Sequence, residues 1–219
     1  MATSRLIIFL KAPRPGFVKT RLAAALGPDG ACAAYVRLVE TLLHRLRDRT
    51  DVELRFTPDD AAEEVGCWAR PGWFMEPQGM GDLGDRLICA VEKAFHDRCE
   101  AVAIIGADCP EVSSRDVDGA LEIVALGKAD VVLGPAKDGG YWLIALRKPV
   151  AGLFAGIAWS TDSVLAETRA RAHGLGLTVE EMRTLTDVDT PDDWDSISGR
   201  LSDLKQEERP IAGRPPGGG

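Results

Sequence analysis

The chain has 219 residues, 45% hydrophobic and 27% charged, which are the proportions of a single globular domain and exclude a disordered chain, a collagen-like fibre or a coiled-coil rod. Its 26 basic against 34 acidic side chains leave a net charge of −8, which argues against nucleic acid as a partner. No apolar run approaches the ~20 residues needed to span a bilayer, and no signal peptide is legible at the N-terminus, so a cytoplasmic protein is expected.

Arg5–Leu10 (RLIIFL) is short, apolar and rich in β-branched and aromatic residues, and predicts a buried first strand. Lys11–Thr20, with two prolines and a glycine, predicts a loop. Val36, Leu38, Val39, Leu42, Leu43 and Leu46 recur at helical spacing and predict a helix over Tyr35–Arg49. Val52–Thr57 predicts a second strand stopped by Pro58, with Asp59 or Asp60 placed to cap the next helix. Gly72–Glu76 predicts a third strand, and the glycine-rich loop Gly79–Gly84 leads into a helix over Asp82–Phe95. Ala101–Ile105 predicts another buried strand, and Ser113 or Ser114 caps a helix carrying Val117, Leu121 and Val124. Strands are expected at Asp130–Gly134 and Tyr141–Leu146, separated by a turn at Asp138–Gly140. A helix over Ser160–His173, capped by Ser160 or Thr161, a strand at Leu175–Val179 and a helix opened by Pro191 complete the order.

Strands alternating with helices indicate an α/β domain with a mainly parallel sheet. The short spacing between 130–134 and 141–146 predicts one antiparallel insertion, so the sheet is mixed. The domain is expected to cover 1–204. Residues 205–219, charged and then rich in glycine and proline, read as a disordered tail.

Five cysteines (Cys32, Cys67, Cys89, Cys99, Cys109) lie scattered with no Cys-x-x-Cys pair, which argues against zinc and redox centres. The three histidines sit inside helical stretches and read as solvated helix faces. Residues 1–26 carry five basic side chains and no acidic one, so a small anion is the expected guest of that segment.

Four loops that follow strands carry unusual polar residues, at the edge where open α/β sheets bind ligands. In KAPRPGFVKTR (11–21), Gly16 and the prolines shape a tight loop, and Lys19 and Arg21 supply charge to phosphates. The segment is not a Walker A loop, because Val18 precedes the lysine. Asp108 ends a buried strand and needs a partner, either a divalent cation or a capping role. Asp138-Gly139-Gly140 allows close backbone approach to a ligand, or is a hairpin turn. Asp187 and Asp189, at i and i+2 of an extended segment, suit Mg²⁺ or Mn²⁺, or precede a helix cap. Trp159-Ser160-Thr161 reads as a helix cap, and GDLGDR (81–86) as a loop and cap.

Taken in order, LIIFLKAPRPGFVKTRL (6–22), GDLGDRL (81–87), IGADCP (105–110), GPAKDGGYWLIAL (134–146), WSTDSVLAET (159–168) and LTDVDTPDDW (185–194) resemble one family. It is the rSAM/selenodomain-associated transferase 1 group of glycosyltransferase-like proteins, which also resembles small-acceptor nucleotidyltransferases. The resemblance implies a GT-A nucleotide-diphospho-sugar transferase fold, a three-layer α/β sandwich in a single domain. It implies a nucleotide-phosphate loop with Lys11, Gly16, Lys19 and Arg21, and a segment near the base with Asp82, Gly84 and Arg86. Asp108 matches the metal-binding aspartate. Since Ala107 and Cys109 flank it, Asp189 or Asp187 is left to complete the site. Gly139, Gly140 and Tyr141, with Trp159, Ser160 and Thr161 beside them, match the acceptor or sugar face.

The expected chemistry is metal-assisted group transfer from a nucleotide or sugar nucleotide to a small-molecule acceptor. Mg²⁺ or Mn²⁺ between Asp108 and Asp189 would neutralise the diphosphate, Lys19 and Arg21 would stabilise charge as the phosphate bond breaks, and Asp138 is the candidate base for the acceptor hydroxyl. Glycosyl transfer is the leading expectation. Nucleotidyl transfer with release of pyrophosphate is the alternative, and a non-catalytic nucleotide-binding module is a third reading. The base, the acceptor and the oligomeric state stay open.

Overall fold

The computed structural model describes residues 3–207. Seven strands form one sheet: β1 (Ser4–Lys11), β2 (Val52–Thr57), β3 (Phe74–Pro77), β4 (Ala101–Gly106), β5 (Val131–Pro135), β6 (Tyr141–Leu146) and β7 (Val179–Glu181). Their order across the sheet is β3-β2-β1-β4-β6-β5-β7. Strand β6 runs antiparallel to both neighbours, and every other pairing is parallel. The mixed α/β sandwich and its single inserted strand are those expected.

Helices α1 (Ala23–Arg45), α2 (Ala62–Gly66), α3 (Leu83–His96), α4 (Ser114–Ala125), α5 (Val164–Gly174), α6 (Pro191–Ile197) and α7 (Leu201–Glu207) surround the sheet. The pleat sends alternate β1 side chains to opposite faces. Leu6, Ile8 and Leu10 join Tyr35, Val39 and Leu42 of α1 and Val117 and Leu121 of α4. Ile7 faces the other way, into the cluster with Leu87 and Val91 of α3 and Leu165 of α5. Burial on both faces explains why β1 reads as a continuous apolar run rather than an alternating one. A third cluster joins Leu38 of α1 to Trp194 of α6 and Leu201 and Leu204 of α7.

Several elements differ from the sequence reading. Helix α1 begins at Ala23 rather than Tyr35, with a kink at Gly27 (φ 70°, ψ 167°). Its first turns bury only small residues such as Ala31, Cys32 and Ala34, so the large apolar stripe starts late. Helix α2 is preceded by Ala61 with no side-chain cap, because Asp60 pairs with Arg14 and Asp59 accepts from the Gly79 amide. Helix α5 begins at Val164, and neither Ser160 nor Thr161 caps it. It runs on to Gly174, where Gly176 (φ 69°) and the Leu177 amide, donating to Ala172 O, close its end. The last strand therefore starts at Val179 instead of Leu175. Helix α7 crosses the expected boundary at 204; residues 208–219 of the expected tail lie outside the described residues. No helix among the described residues is long and apolar enough to cross a membrane.

Leu42 is fully buried between α1 and the sheet. Leu42→Ala should cost about 2–5 kcal/mol in urea denaturation. Ser113→Ala, which removes the α4 capping box with Asp116, should cost about 1 kcal/mol. Equal losses from the two substitutions would contradict this account of the core.

Candidate active site

Strands β1 and β4 are neighbours at the point where the chain order across the sheet reverses. Beyond their carboxyl ends lies a cavity of about 750 Å³. Because β6 is antiparallel, its first residue Tyr141 reaches the same edge, and the β5–β6 hairpin joins the loops after β1, β4 and β7 there.

The segment after β1 is anchored at both ends. The Lys11 amide donates to Tyr35 Oη at 2.8 Å, and that hydroxyl donates back to Lys11 O at 3.1 Å. Val18 and Leu22 are buried, and Gly16 takes φ 81°. Lys19 itself sits at φ 49°, in the left-handed region that L-residues rarely enter. Its ammonium lies 2.9 Å from Asp108 Oδ1 and 2.7 Å from Asp189 Oδ1, and its side chain is 4% exposed. Burial alone would lower the Lys19 pKa; the two carboxylates outweigh burial and hold it above its ordinary value. Arg21 is exposed, 3.8 Å from the second Asp189 oxygen.

Backbone hydrogen bonds bring Asp189 to Asp108. Leu185 pairs with Pro135 and Lys137 at the end of β5, and the Val188 amide donates to Asp108 O at 3.1 Å. The strand-like segment 185–189 thus crosses from β5 to the β4 loop and leaves Asp187 and Asp189 on the cavity side. Thr190 then starts α6 through a capping box with Asp193.

Asp187 is half-buried, and its pKa is raised to about 6. Burial is the largest cause, followed by repulsion from Asp138, with smaller repulsion from Asp189 and Asp108. Asp138 Oδ1 accepts from the Gly140 amide at 2.8 Å, which fixes the carboxylate at the hairpin tip. Gly139 has φ 90° and lies against the Asp162 carbonyl, where a side chain would collide with backbone. The Leu165 amide donates to Gly139 O at 2.9 Å, which ties the hairpin to the start of α5.

Of the expected site residues, Lys11, Lys19, Arg21, Asp108, Asp138, Gly140, Tyr141, Trp159, Ser160, Thr161, Asp187 and Asp189 line this cavity. Gly16 and Gly139 shape the loops without lining it. Asp82, Gly84 and Arg86 do not line it either. The Asp82 carboxylate accepts from the Asp85 amide as the α3 cap, and Arg86 reaches Gly81 O and Gln78 Oε1. Gly84 makes room for Trp159, whose buried indole N–H has no hydrogen-bond partner among the described residues. From that stretch the cavity takes Leu83 and Leu87 instead. Trp159-Ser160-Thr161 forms a loop at the wall, with Ser160 at φ 65°, rather than a helix cap.

Tyr35, Gln78 and Asp162 are among the lining residues that escaped the sequence reading. Tyr35 sits on an apolar helical stripe and reads as core. Gln78 is buried, donating to Leu10 O and Arg55 O, and a polar residue just before the Gly79–Gly84 loop was its one signal. Cys109 is no nucleophile, since burial holds its thiol well above its ordinary pKa.

A divalent cation suits this edge. Three cationic and five carboxylate side chains line the cavity, so a phosphate anion entering it meets surplus negative charge. All the donors are hard oxygens, which Mg²⁺ and Mn²⁺ prefer. No group of three His, Cys, Asp or Glu among the described residues converges to enclose an ion. That matches the usual Mg²⁺ arrangement of one or two carboxylates completed by water and substrate phosphates. Asp108 and Asp189, already sharing one cation, are the residues that would hold it.

The architecture is that of the nucleotide-diphospho-sugar transferases. A proposed nucleotide-diphospho-sugar transferase from Desulfovibrio desulfuricans G20 superposes with a TM-score of 0.82 at 32% identity, over 94% of this chain and 95% of that one. A cytidylyltransferase from Leptospira borgpetersenii serovar Hardjo-bovis shares the fold at 13% identity, with a TM-score of 0.59 over 92% of this chain and 87% of that one. Rv0371C of Mycobacterium tuberculosis H37Rv, in complex with manganese, does so at 17% identity, with a TM-score of 0.54 over 89% and 97% of the two chains. The family described as "uncharacterized protein conserved in bacteria", DUF2064, matches residues 41–161, and the chain belongs to it. No curated protein matches the sequence.

Asp187 yields a pH prediction. Its folded pKa of about 6 exceeds the ordinary carboxylate value, so between about pH 4 and 6 the folded chain binds more protons than the unfolded one. Through that window its ionisation lowers stability as the pH rises. Asp187→Asn should remove this component, read as a flatter denaturation midpoint between pH 4 and 6. An unchanged slope would place the acidic surplus elsewhere.

Proposed function

We propose that this protein is a metal-dependent transferase that moves a sugar from a nucleotide-diphospho-sugar to a small hydroxyl-bearing acceptor. The reading extends to the finer placement in the rSAM/selenodomain-associated transferase 1 group, which the order of the six sequence segments supports. The single observation that carries it is the meeting of Asp108 and Asp189 at the Lys19 ammonium beyond the ends of β1 and β4. The 32% identical relative over nearly the whole chain supports the donor class.

The division of charge favours a diphosphate donor. A triphosphate needs several free cations in the loop after β1. Here Lys19 is engaged by two carboxylates, and Arg14 by Glu64 and Asp60. Arg21 and the exposed Lys11 are left to meet phosphate oxygens at the rim. A divalent cation bound at Asp108 and Asp189 would neutralise the diphosphate as the sugar–oxygen bond breaks. Asp138, held by the Gly140 amide and open to the cavity, accepts the proton of the attacking hydroxyl. Gly140, Tyr141 and the Trp159–Thr161 loop form the wall against which the sugar or acceptor lies.

Nucleotidyl transfer is the competing chemistry, favoured by the fold shared with the cytidylyltransferase. The two reactions differ in what leaves. Incubation with a panel of sugar nucleotides or of nucleoside triphosphates, each with Mg²⁺ or Mn²⁺, should release a nucleoside diphosphate from a sugar nucleotide. Pyrophosphate released from a triphosphate would replace this reading with the other one. Asp138→Asn should lower kcat by roughly 10²- to 10⁴-fold, the range that a positioned base contributes, with KM for the donor little changed. Asp189→Asn should lower kcat/KM by at least about 100-fold, the upper end of what outer-shell partners of a metal site cost. Activity retained in both variants would overturn the assignment.

A further inference from the structure

We propose that Lys19 is a built-in stand-in for the divalent cation: its ammonium keeps Asp108 and Asp189 converged while the site is free of nucleotide, and it must leave that position for the ion to be held there. The proposal rests on the metal-site reading above and adds to it an order of events. The free metal ion is taken up poorly, and the metal–nucleotide complex is taken up well.

Three observations support it. First, one ammonium contacts one oxygen from each of the two carboxylates, at 2.9 and 2.7 Å. Those oxygens belong to separate loops; the ammonium is the one cation that touches both, since Arg21 lies 3.8 Å from Asp189 alone, and the site also holds Asp138 and Asp187. Second, the lysine side chain is 4% exposed, so its pairing is the arrangement into which the unliganded site folds rather than a loose surface contact. Third, its backbone is in the left-handed region at φ 49°. A non-glycine residue stays there only where its surroundings over-determine it, and such residues cluster at ligand clamps and switches. Here the two carboxylates hold the ammonium, and the Ala23 amide, donating to Lys19 O at 3.0 Å, holds the backbone.

The consequence follows from charge. Two cations cannot occupy the same pair of oxygens, so ion and ammonium compete. When the ion arrives with a diphosphate, the displaced ammonium has phosphate oxygens within the same cavity to meet, and the exchange leaves no buried charge unpaired. When the ion arrives alone, the lysine has no such partner. Lys19 therefore couples metal and nucleotide positively, and by linkage each tightens the other equally.

The test reads binding, not turnover. Mn²⁺ affinity is measured by electron paramagnetic resonance titration on the wild type, Lys19→Met and Lys19→Arg, without nucleotide. Lys19→Met should bind Mn²⁺ at least about tenfold more tightly than the wild type, and Lys19→Arg should bind as weakly as the wild type. For the wild type, a nucleoside diphosphate should tighten Mn²⁺ by about five- to 150-fold, the usual span of such couplings. Asp108→Asn and Asp189→Asn should each weaken Mn²⁺ binding. A Lys19→Met chain that binds no more tightly than the wild type overturns the proposal, as does Mn²⁺ binding to none of the variants.

Should Lys19→Met fail to fold, reductive methylation of the wild type followed by mass spectrometry gives the answer. Lys19 should resist modification alone and react when Mg²⁺ is saturating; equal protection in both conditions overturns the proposal. Competition in the absence of any sugar-nucleotide turnover would leave the stand-in role and remove the transferase reading. Turnover without competition would do the reverse.

Discussion

The Lys19 ammonium, shared by Asp108 and Asp189, is the contact on which the ligand edge of this protein depends. Taking ions out of water costs several kcal/mol each in a protein, and that cost is recovered only with good geometry on both sides. The contact therefore constrains three segments together. The loop after β1 must place the lysine at an unfavourable backbone angle, β4 must end at Asp108, and segment 185–189 must lie along the β4 loop through Val188. Removing either carboxylate leaves the buried Lys19 ammonium short of a partner, and removing the lysine leaves two part-exposed carboxylates facing each other in a cavity that already carries more carboxylates than cations.

The rest of the scaffold makes this possible by satisfying its own polar groups elsewhere. Capping boxes close the amino ends of α3, α4 and α6, and in each the acidic residue three positions on answers the cap. Asp116 also pairs with Arg183, which together with the capping bonds outweighs its burial and holds its carboxyl below the usual range. In the loop after β1, Arg14 is drawn off to Glu64, which leaves Lys19 as the cation of that segment whose side chain is buried. Charge is thus divided between structural pairs away from the strand ends and an acidic excess at them.

How much of this could be read from the chain differs by level. Strands β1, β2 and β4 to β6 were legible because burial on two faces demands unbroken apolar runs. The antiparallel β6 was legible because its connection is too short for a crossover helix. The start of α5 was misread because Ser160 and Thr161 look like caps, whereas the chain uses them as a cavity wall. The early turns of α1 were missed because small residues pack there without a large apolar stripe. Residues 81–86 were legible as a loop and cap, which the capping box of α3 bears out, whereas the resemblance implied a place near the base for Asp82, Gly84 and Arg86, and these three do not line the cavity.

By itself the sequence determined the α/β class, the strand–helix alternation and the four polar loops at one edge, because hydrophobic periodicity and turn chemistry are local properties. It also placed Lys19, Asp108 and Asp189 among the residues that carry chemistry. Only the tertiary structure decided that these three meet one another, although Lys19 and Asp189 lie 170 positions apart. That meeting is set by the sheet order and by the backbone bonds of Leu185 and Val188, which are long-range contacts with no local signature. Side chains that read by type as phosphate or metal ligands become, once folded, one buried ammonium shared by two part-exposed carboxylates, because a cation taken out of water needs opposite charge beside it.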